Sequence, residues 1–396
     1  MPKDTPISGI FQYHQAMALY RTGIKVGVIA PAPLFGRNLL ERIMRLPLGY
    51  VTDKRFPFPT ITYQGSVLWP GRFIKGSQIF WNRNAMRLFQ HYYSLYGRPD
   101  LIHAHEVSFA GCFAMELADN LHIPYIITEH SSTFIDGSIK VNKRIKAAYR
   151  QAHARLMVSH FLGKAVETKI GNDATPWKCV PNILPVDFEH ASPLTRNSND
   201  RFRFLCVAQF SQVKNHLCLL KAFTKAFQGS DVELILAGDG PLLAAAKKSA
   251  QELGIFSQVT FIGFQTRIQV LEEMLHCDVL VLPSLRETFG VVLIEAMSCG
   301  KPVIAPAGSG PDDIVNKDNG LLFHPDDFND LANAMNIIFT NFSHFDPKSI
   351  RAECISRYGE SAIVSKLVNI YSRIINKSSY GHINVDPKMK SSRNQK

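Results

Sequence analysis

Two glutamates eight residues apart, Glu287 and Glu295, lie where an apolar strand passes into a helix. A loop carries Glu287, the chain turns at Gly290, and Glu295 follows one to two turns into the helix. Carboxylates accept hydrogen bonds from the vicinal hydroxyls of a sugar or a ribose. The free amides of Gly290, Val291 and Val292 can hold phosphate oxygens at the positive end of the helix dipole. The pattern predicts a site for a phosphorylated sugar or nucleotide, although a bare glutamate pair also fits a solvated loop and a surface helix.

The elements that would position this pair repeat along the chain. Strand candidates span 25–30, 100–105, 124–130 and 155–159 in the first half, and 202–208, 232–238, 259–263, 278–284 and 301–306 in the second. Helical patterns separate most of them. Continuously apolar strands alternating with helices are typical of a parallel sheet covered on both faces. Two such sets predict an α/β chain of two doubly wound domains, which bind ligands at the carboxyl edges of their sheets.

The predicted divisions follow from composition. The first domain spans 1–185, a Pro-, Asn- and Ser-rich linker spans 186–201, and the second domain spans 202–345. C-terminal helices fill 346–376, and the basic, Ser-rich tail 377–396 is predicted to be disordered. The polar opening, MPKDT, cannot be the strand with which such a domain normally starts. Either the true start lies upstream, which we favour, or this domain has lost its central strand.

Composition narrows the class of protein. Of the 396 residues, 46% are hydrophobic and 19% charged, which excludes a mainly disordered, collagen-like or disulfide-stapled chain. No apolar run approaches the roughly 18 residues of a membrane-spanning helix, and no leader precedes the first motif. The seven cysteines lack any Cys-x-x-Cys spacing and are typical of reduced core residues. These features predict a cytoplasmic protein.

The net charge of +11 is unevenly distributed. Residues 1–190 carry 22 Lys and Arg against 13 Asp and Glu, a balance of +9, which leaves +2 for the remainder. A basic first half indicates a polyanionic partner such as nucleic acid, an anionic membrane or a phosphorylated substrate. The sequence contains no recognisable nucleic-acid-binding module, so nucleic acid is the least favoured of these.

The stretch around the glutamate pair resembles the retaining GT-B glycosyltransferases of family 4, the glycosyl transferases group 1. Their pattern E-x-F-G-x-x-x-x-E-A, followed by G-x-P-V-I, stands here as 287–296 and 300–304. Further matches are AGDGPLL at 237–243, VLPS at 281–284, VPN at 180–182, TEH at 128–130 and the opening PISGIF. The resemblance extends to about residue 375 and implies two Rossmann-like domains facing across a cleft, with the last helix packing back on the first domain.

The resemblance also implies roles for single residues. Three catalytic positions are implied: Glu287 contacts the donor sugar, Lys214 binds the donor diphosphate, and His130 lines the reaction centre. Glu295 would hold the ribose hydroxyls. The other donor-binding positions are Gly9, Gln209, Gln265, Phe289, Gly290, Val291, Val292 and Gly310. His103 and His105 are interpreted mainly as structural residues at the sheet edge.

Two positions depart from the family pattern. Gln209 stands where the family often has an arginine, so it brings a hydrogen-bond donor without a charge. Ser309 replaces the first glycine of a Gly-Gly turn. Together with the truncated opening, these departures leave a catalytically impaired or binding-only relative as an alternative. A nucleotide-sugar epimerase of the same fold is a second alternative.

The implied reaction moves a sugar from a nucleotide diphosphate to a hydroxyl of a glycan or lipid-linked acceptor, with retention at the anomeric carbon. This hexosyltransferase chemistry is expected to need no metal or cofactor, because nothing resembles an Asp-x-Asp motif. Family members of this style are common in bacterial O-antigen, capsule and exopolysaccharide pathways. Lys140, Lys143, Arg144 and Lys146, with further basic residues in 37–55, predict peripheral docking on the inner face of the cytoplasmic membrane. A solvated helix face is the alternative.

Overall fold

The computed structural model describes residues 9–31, 49–52, 56–64, 77–171, 176–192 and 201–381. The opening pentapeptide, most of the basic segment 37–55 and most of the predicted tail lie outside the described residues.

Thirteen strands are found in the described part of the chain. They are β1 (Val28–Ala30), β2 (Gly49–Thr52), β3 (Thr60–Gln64), β4 (Ile102–His105), β5 (Tyr125–Glu129), β6 (Ala154–Met157), β7 (Lys178–Cys179), β8 (Phe202–Val207), β9 (Val232–Ala237), β10 (Val259–Gly263), β11 (Val279–Val281), β12 (Val303–Pro306) and β13 (Gly320–Phe323).

The α-helices alternate with these strands. They are α1 (Ile10–Arg21), α2 (Ser77–Tyr96), α3 (Cys112–Leu121), α4 (Lys143–Gln151), α5 (His160–Ile170), α6 (Val186–Glu189), α7 (His216–Phe227), α8 (Leu243–Glu252), α9 (Arg267–His276), α10 (Val291–Ser298), α11 (Phe328–Thr340), α12 (Pro347–Tyr358) and α13 (Glu360–Gly381).

The second half of the chain folds around one six-stranded parallel sheet with the order β10-β9-β8-β11-β12-β13. Its four central strands, β9, β8, β11 and β12, are buried nearly throughout because helices cover both faces, and this is why they are continuously apolar. The strand order reverses between β8 and β11. The loops that follow these two neighbouring strands therefore separate at a topological switch point, where doubly wound sheets form their ligand-binding crevice.

The first half contains two sheets among its described residues. Strands β4-β5-β6-β7 form a parallel sheet, while β1-β3-β2 form a smaller one in which β2 is antiparallel to β3. Ile29 of β1 and Ile102 of β4 pack on the same apolar cluster, which is built on Ala85 and Phe89 of α2. The α/β architecture with two Rossmann-like halves is confirmed, whereas β2, β3 and β7 in this half and β13 in the second sheet have no counterpart among the predicted strands.

The segment predicted as a linker contains the short helix α6. Phe188 in this helix is fully buried and belongs to the same core as the second sheet. Arg351 donates to the carbonyl of Glu189, and the amide of Glu360 donates to the Glu189 carboxylate. The connection between the halves is therefore packed against the C-terminal helices at this point.

The last helix, α13, lies against the first half. Ile363, Leu367 and Ile370 are buried in a cluster with Ala18 and Leu19 of α1. Arg21 at the end of α1 forms a bidentate pair with Glu360 at the start of α13, which fixes the ends of the two helices. None of the described helices combines the length and the apolar character needed to cross a membrane.

We expect Leu367→Ala to lower the free energy of unfolding of the first half by about 2–5 kcal/mol, because it leaves a cavity under α13. Leu367 is fully buried, whereas the adjacent Lys366 is exposed and provides the control Lys366→Ala. Urea unfolding followed by tryptophan fluorescence checks this, since all three tryptophans (Trp69, Trp81 and Trp177) lie in the first half. Equal midpoints for the two variants would show that α13 adds little to the first half.

Candidate active site

Lys214 and Glu287 form an ion pair at the switch point of the second sheet. Lys214 ends a 3-10 turn in the loop after β8, and Glu287 lies in the loop after β11, so neighbouring strands deliver both side chains to one edge. The Lys214 ammonium donates to Glu287 Oε1, and the Ser284 hydroxyl donates to the same oxygen at 2.8 Å. The Glu287 side chain is 13% exposed and that of Lys214 is 28% exposed. The pair is sheltered but open to a ligand.

The backbone around this pair is held by glycines that permit very close approach. A Cβ on Gly238 would lie 2.0 Å from the carbonyl oxygen of Ala208, and one on Gly240 would lie 2.6 Å from that of Phe210. A Cβ on Gly310 would lie 2.4 Å from the carbonyl oxygen of Thr288. Any larger residue at these positions would displace the loops that carry Lys214 and Glu287.

Gly310, one of the predicted donor-binding residues, is joined to the glutamate loop directly. Its amide donates to the carbonyl of Glu287 at 2.9 Å. Ser309, the departure from the Gly-Gly pattern, has an extended backbone with φ of −150°, which any residue adopts. The substitution therefore places no strain on the turn.

Glu295 lies on α10, as the sequence predicts, and it is almost fully buried. Burial raises the pKa of this carboxyl, and the nearby Arg267 opposes that shift. Arg267 Nη1 donates to Glu295 Oε1 at 2.7 Å, and the guanidinium lies 4.7 Å from the centre of the Phe188 ring. Sequence reasoning missed Arg267, because its spacing from Glu295 does not mark it.

The other residues predicted around the start of α10 place backbone groups at the site, whereas the Phe289 side chain is buried. Gly290 caps α10 in the left-handed region with φ of 97°, so Val291 and Val292 begin the helix with amides that have no partner within it. The Phe289 ring is only 1% exposed and packs edge-on against Tyr358 at 5.8 Å. Its side chain therefore belongs to the core, and only its backbone lies at the site.

Two predicted glutamines flank the site without contacting the carboxylates. Gln209 is exposed in the loop after β8. Gln265 turns back, and its side-chain amide donates to the carbonyl of Ile262 at 2.6 Å. The two residues after it start α9 through a capping box between Thr266 and Gln269, which places Arg267 at the first position of the helix.

The predicted residues of the first half belong to a separate network. Gly9 caps α1 in the left-handed region with φ of 78°, and Phe11 stacks on His130 with ring centres 6.2 Å apart. His130 Nδ1 lies 3.0 Å from Asn182 Oδ1, and its Nε2 lies 3.0 Å from His105 Nδ1. Because the Asn182 oxygen only accepts, His130 donates from Nδ1 and accepts at Nε2 from His105.

His103 extends this network to the last helix. Its ring stacks on His105 at 4.6 Å, its Nε2 lies 2.6 Å from the Thr128 hydroxyl, and its Nδ1 lies 2.7 Å from the Tyr371 hydroxyl on α13. Burial lowers the pKa of His103 to about 3 and that of His130 to about 4, and it lowers the pKa of His105 well below its usual value. The three imidazoles are therefore neutral at physiological pH.

Glu129 holds the loop that presents His130. Its carboxylate accepts from the amides of His130 and Ser131 at 3.2 and 3.0 Å, from the amide of Val107 at 3.2 Å and from the Tyr149 hydroxyl at 2.9 Å. Burial raises the pKa of Glu129 to about 7, although these hydrogen bonds favour the ionised form. Sequence reasoning treated this glutamate only as part of the TEH string, and its complete burial explains why no surface pattern marked it.

The two halves of the chain meet beside Glu287. The Ser159 hydroxyl, at the start of α5, donates to the carbonyl of Thr288 at 2.6 Å. The neighbouring His160 amide donates to the Asp313 carboxylate at 2.6 Å. The carboxyl edges of both parallel sheets are thus brought together, and the glutamate loop forms part of their contact.

Two protein families match consecutive parts of the chain. The family described as "Glycosyltransferase Family 4" matches residues 9–188, and that described as "Glycosyl transferases group 1" matches residues 188–349. The chain belongs to the GT-B glycosyltransferases of family 4.

Individual relatives of this glycosyltransferase are distant. It is 22% identical over 277 residues to an uncharacterized glycosyltransferase of Methanocaldococcus jannaschii, covering 68% of this chain and 67% of that protein. It is 27% identical over 368 residues to a Bacillus subtilis glycosyltransferase named for teichuronic acid biosynthesis, covering 86% of each. Three other curated relatives are matched over 36 to 63% of their own length.

Among solved structures, the Anabaena protein HepE in complex with UDP and glucose superposes with a TM-score of 0.69 at 20% identity, covering 93% of this chain and 97% of that one. This similarity shows that the glycosyltransferase has the GT-B fold.

We expect the three buried histidines to make the glycosyltransferase lose stability below pH 6.5. Their pKa values are lower in the folded than in the unfolded chain, so unfolding takes up protons in this range and acidification favours it. Between pH 7.5 and 5.5 each contributes a loss of about 1.4 kcal/mol.

The variant His103→Gln isolates one of these contributions. Its loss between the two pH values should be smaller than that of the wild type by about 1.4 kcal/mol in urea unfolding. Glu129 is present in both proteins, so its contribution to the pH dependence, which has the opposite sign because its pKa is raised, cancels in the comparison. Identical losses for both proteins would contradict a neutral, buried His103.

Proposed function

We propose that this glycosyltransferase is a retaining, metal-independent enzyme that moves a sugar from a nucleotide-diphosphate sugar to a hydroxyl of a glycan or lipid-linked glycan. The observation that supports this most strongly is the ion pair between Lys214 and Glu287 at the switch point of the donor-side sheet. It combines a cation suited to a diphosphate with a carboxylate suited to sugar hydroxyls. A structure with the same fold contains UDP and glucose.

In this proposal, Lys214 and Glu287 separate when the donor binds, and each side chain then contacts a group of the donor instead of the other. The diphosphate takes the Lys214 ammonium, and the sugar hydroxyls take the Glu287 carboxylate, which Ser284 continues to orient. The amides of Val291 and Val292 add partial positive charge. As the bond to the anomeric carbon breaks, negative charge grows on the departing diphosphate, and a fixed ammonium there stabilises the transition state more than the ground state.

Glu295 and Arg267 complete the nucleotide side of the proposed site. The buried Glu295 carboxylate would accept the ribose hydroxyls, and Arg267 opposes the rise in the pKa of Glu295 and fixes its orientation. Arg267 is held over Phe188, so the guanidinium is positioned before the donor arrives. We assign Arg267 as a positioning residue for Glu295, whose carboxylate would bind the ribose.

Retention is proposed to occur by front-face departure. Glu287 accepts hydrogen bonds from Lys214 and Ser284, and these contacts suit it to sugar binding rather than to nucleophilic attack. The leaving phosphate would then deprotonate the acceptor hydroxyl. Metal independence is proposed because the sequence has no Asp-x-Asp motif, and the Asp312 carboxylate accepts from the Gly308 amide within its own turn.

Substitution of the pair tests the proposed donor site. With UDP-glucose as the first member of a nucleotide-sugar panel, we expect Lys214→Ala to weaken donor binding by at least tenfold and Glu287→Gln to lower kcat by at least 100-fold. Arg267→Gln should raise the donor KM with a smaller effect on kcat. Calorimetry and turnover with a lipid-diphosphate sugar acceptor provide the measurements.

The matched control is Lys248→Ala, which removes an exposed lysine of the same half. It should bind donor and turn over within twofold of the wild type. If Glu287→Gln turns over a donor at the wild-type rate, the site is not catalytic. If donors bind but none is transferred, the chain is a binding-only relative, and product from donor alone would indicate an epimerase.

The proposed setting is the assembly of a bacterial surface polysaccharide such as O-antigen, capsule or exopolysaccharide, with the protein docked on the inner face of the cytoplasmic membrane. A relative named for teichuronic acid biosynthesis supports the first part. For docking, Lys140 and Lys143 are exposed at the start of α4 and Lys146 is partly exposed. Ile145 and Tyr149 are buried, so we propose an electrostatic contact without inserted apolar side chains.

Vesicle co-sedimentation tests this docking. We expect binding to vesicles containing phosphatidylglycerol, loss of binding in 0.5 M salt, and at least fivefold weaker binding for K140A/K143A/K146A. The control K247A/K248A removes two lysines of α8 in the second half. Equal binding to neutral phosphatidylcholine vesicles, or binding independent of salt, would contradict electrostatic docking.

A further inference from the structure

Three side chains of types that bind metal ions lie close together where the two halves of the chain meet. They are His160 at the start of α5, Cys179 at the end of β7, and Asp313 in the 3-10 turn after β12. One ligand atom from each, His160 Nδ1, Cys179 Sγ and an Asp313 carboxylate oxygen, lies within 4.8 Å of the other two. We propose that these residues form a zinc site that bridges the two halves of the glycosyltransferase.

The geometry is close to that of a bound ion. Zinc bonds of about 2.0 Å to nitrogen or oxygen and about 2.3 Å to sulfur, in a tetrahedron, separate the ligand atoms by roughly 3.5 Å. Pairs of ligand atoms therefore need to approach by about 1.3 Å at most, which side-chain rotation supplies. Three protein ligands leave the fourth position to water, and the His160 side chain is 61% exposed, so water reaches it.

The chemical types of the three ligands determine which metals suit the site. A thiolate and an imidazole beside one carboxylate suit zinc or a similar transition metal, whereas magnesium and calcium prefer oxygen ligands. Cys179 is also distinct among the seven cysteines, because the other six are buried in the core and Cys179 alone is partly accessible. On binding, the thiol gives its proton to the buffer as the zinc–sulfur bond forms.

The surroundings already orient the ligands. One Asp313 oxygen accepts from the His160 amide at 2.6 Å, and the other lies 3.1 Å from His160 Nδ1. The backbone carbonyl of Asp313 accepts from Arg357, and the Trp177 ring packs edge-on against the imidazole at 5.5 Å. Zinc would take the place of the contact between Asp313 and His160 Nδ1 while the other supports remain.

The proposed zinc site has ligands from both halves of the chain. His160 and Cys179 belong to the first half, whereas Asp313 follows Gly310 in the turn that holds the Glu287 loop. A zinc ion here would join the halves beside the proposed donor site without contacting the donor. It is a structural metal, separate from the metal-independent transfer, and binding can be measured without any assay of activity.

Metal titration of the full chain, stripped with a chelator and free of any polyhistidine tag, tests the site. We expect one equivalent of Co²⁺ to bind with a thiolate-to-cobalt charge-transfer band, and Zn²⁺ to displace it. Cys179→Ser should abolish the band, and His160→Ala and Asp313→Asn should each weaken Co²⁺ binding by at least tenfold. The control Cys218→Ser should keep both the band and the affinity.

Three results would overturn the site: no saturable binding up to millimolar metal, binding without a thiolate band, or a band that persists in Cys179→Ser. Melting of each metal-free variant identifies any that fails to fold, and Cys179→Ala then replaces the serine variant. Because donor binding is measured separately, failure here leaves the proposed transferase function intact.

Discussion

Backbone packed directly on backbone is the constraint on which the proposed donor site depends. The loops after β8, β9, β11 and β12 approach one another so closely that Gly238, Gly240 and Gly310 leave no room for a side chain. Steric exclusion restricts the relative positions of these loops independently of their polar contacts. Lys214 and Glu287 then meet because the strands that deliver them are neighbours in the sheet. The charges are therefore positioned by a rigid frame rather than by their own attraction.

Local sequence pattern predicted five of the six strands of the second sheet, missing the edge strand β13, and it predicted less of the first half, for physical reasons. Apolar runs between helices predict a buried parallel sheet, and short motifs mark Glu287 and Glu295. Pairings between distant residues carry no such signal, so the contact of Arg267 with Glu295 was not predicted. Phe289 shows the reverse case, because a residue within a binding motif can serve the core. The stack of His105 on His130 depends on the pairing of β4 with β5, which periodicity alone does not give.

The C-terminal helices connect parts of the molecule that the chain order separates. Arg357 on α12 holds the carbonyl of Asp313, and the carbonyl of Tyr358 accepts from the amide of Leu184. Tyr371 on α13 reaches the histidine network of the first half. The contacts of Leu184 with Tyr358, and of Glu189 with Arg351 and Glu360, hold the connection between the halves. They explain why a segment with the composition of a linker is packed where it contains α6.

The hydrogen bond from Ser159 to the carbonyl of Thr288 has a mechanical consequence. Its donor and acceptor belong to different halves, so any rotation that separates the halves must break it. The carbonyl belongs to the residue after Glu287, and the loop then loses one of its anchors, worth about 1 kcal/mol. The separation of the halves and the order of the Glu287 loop are thus coupled through this bond.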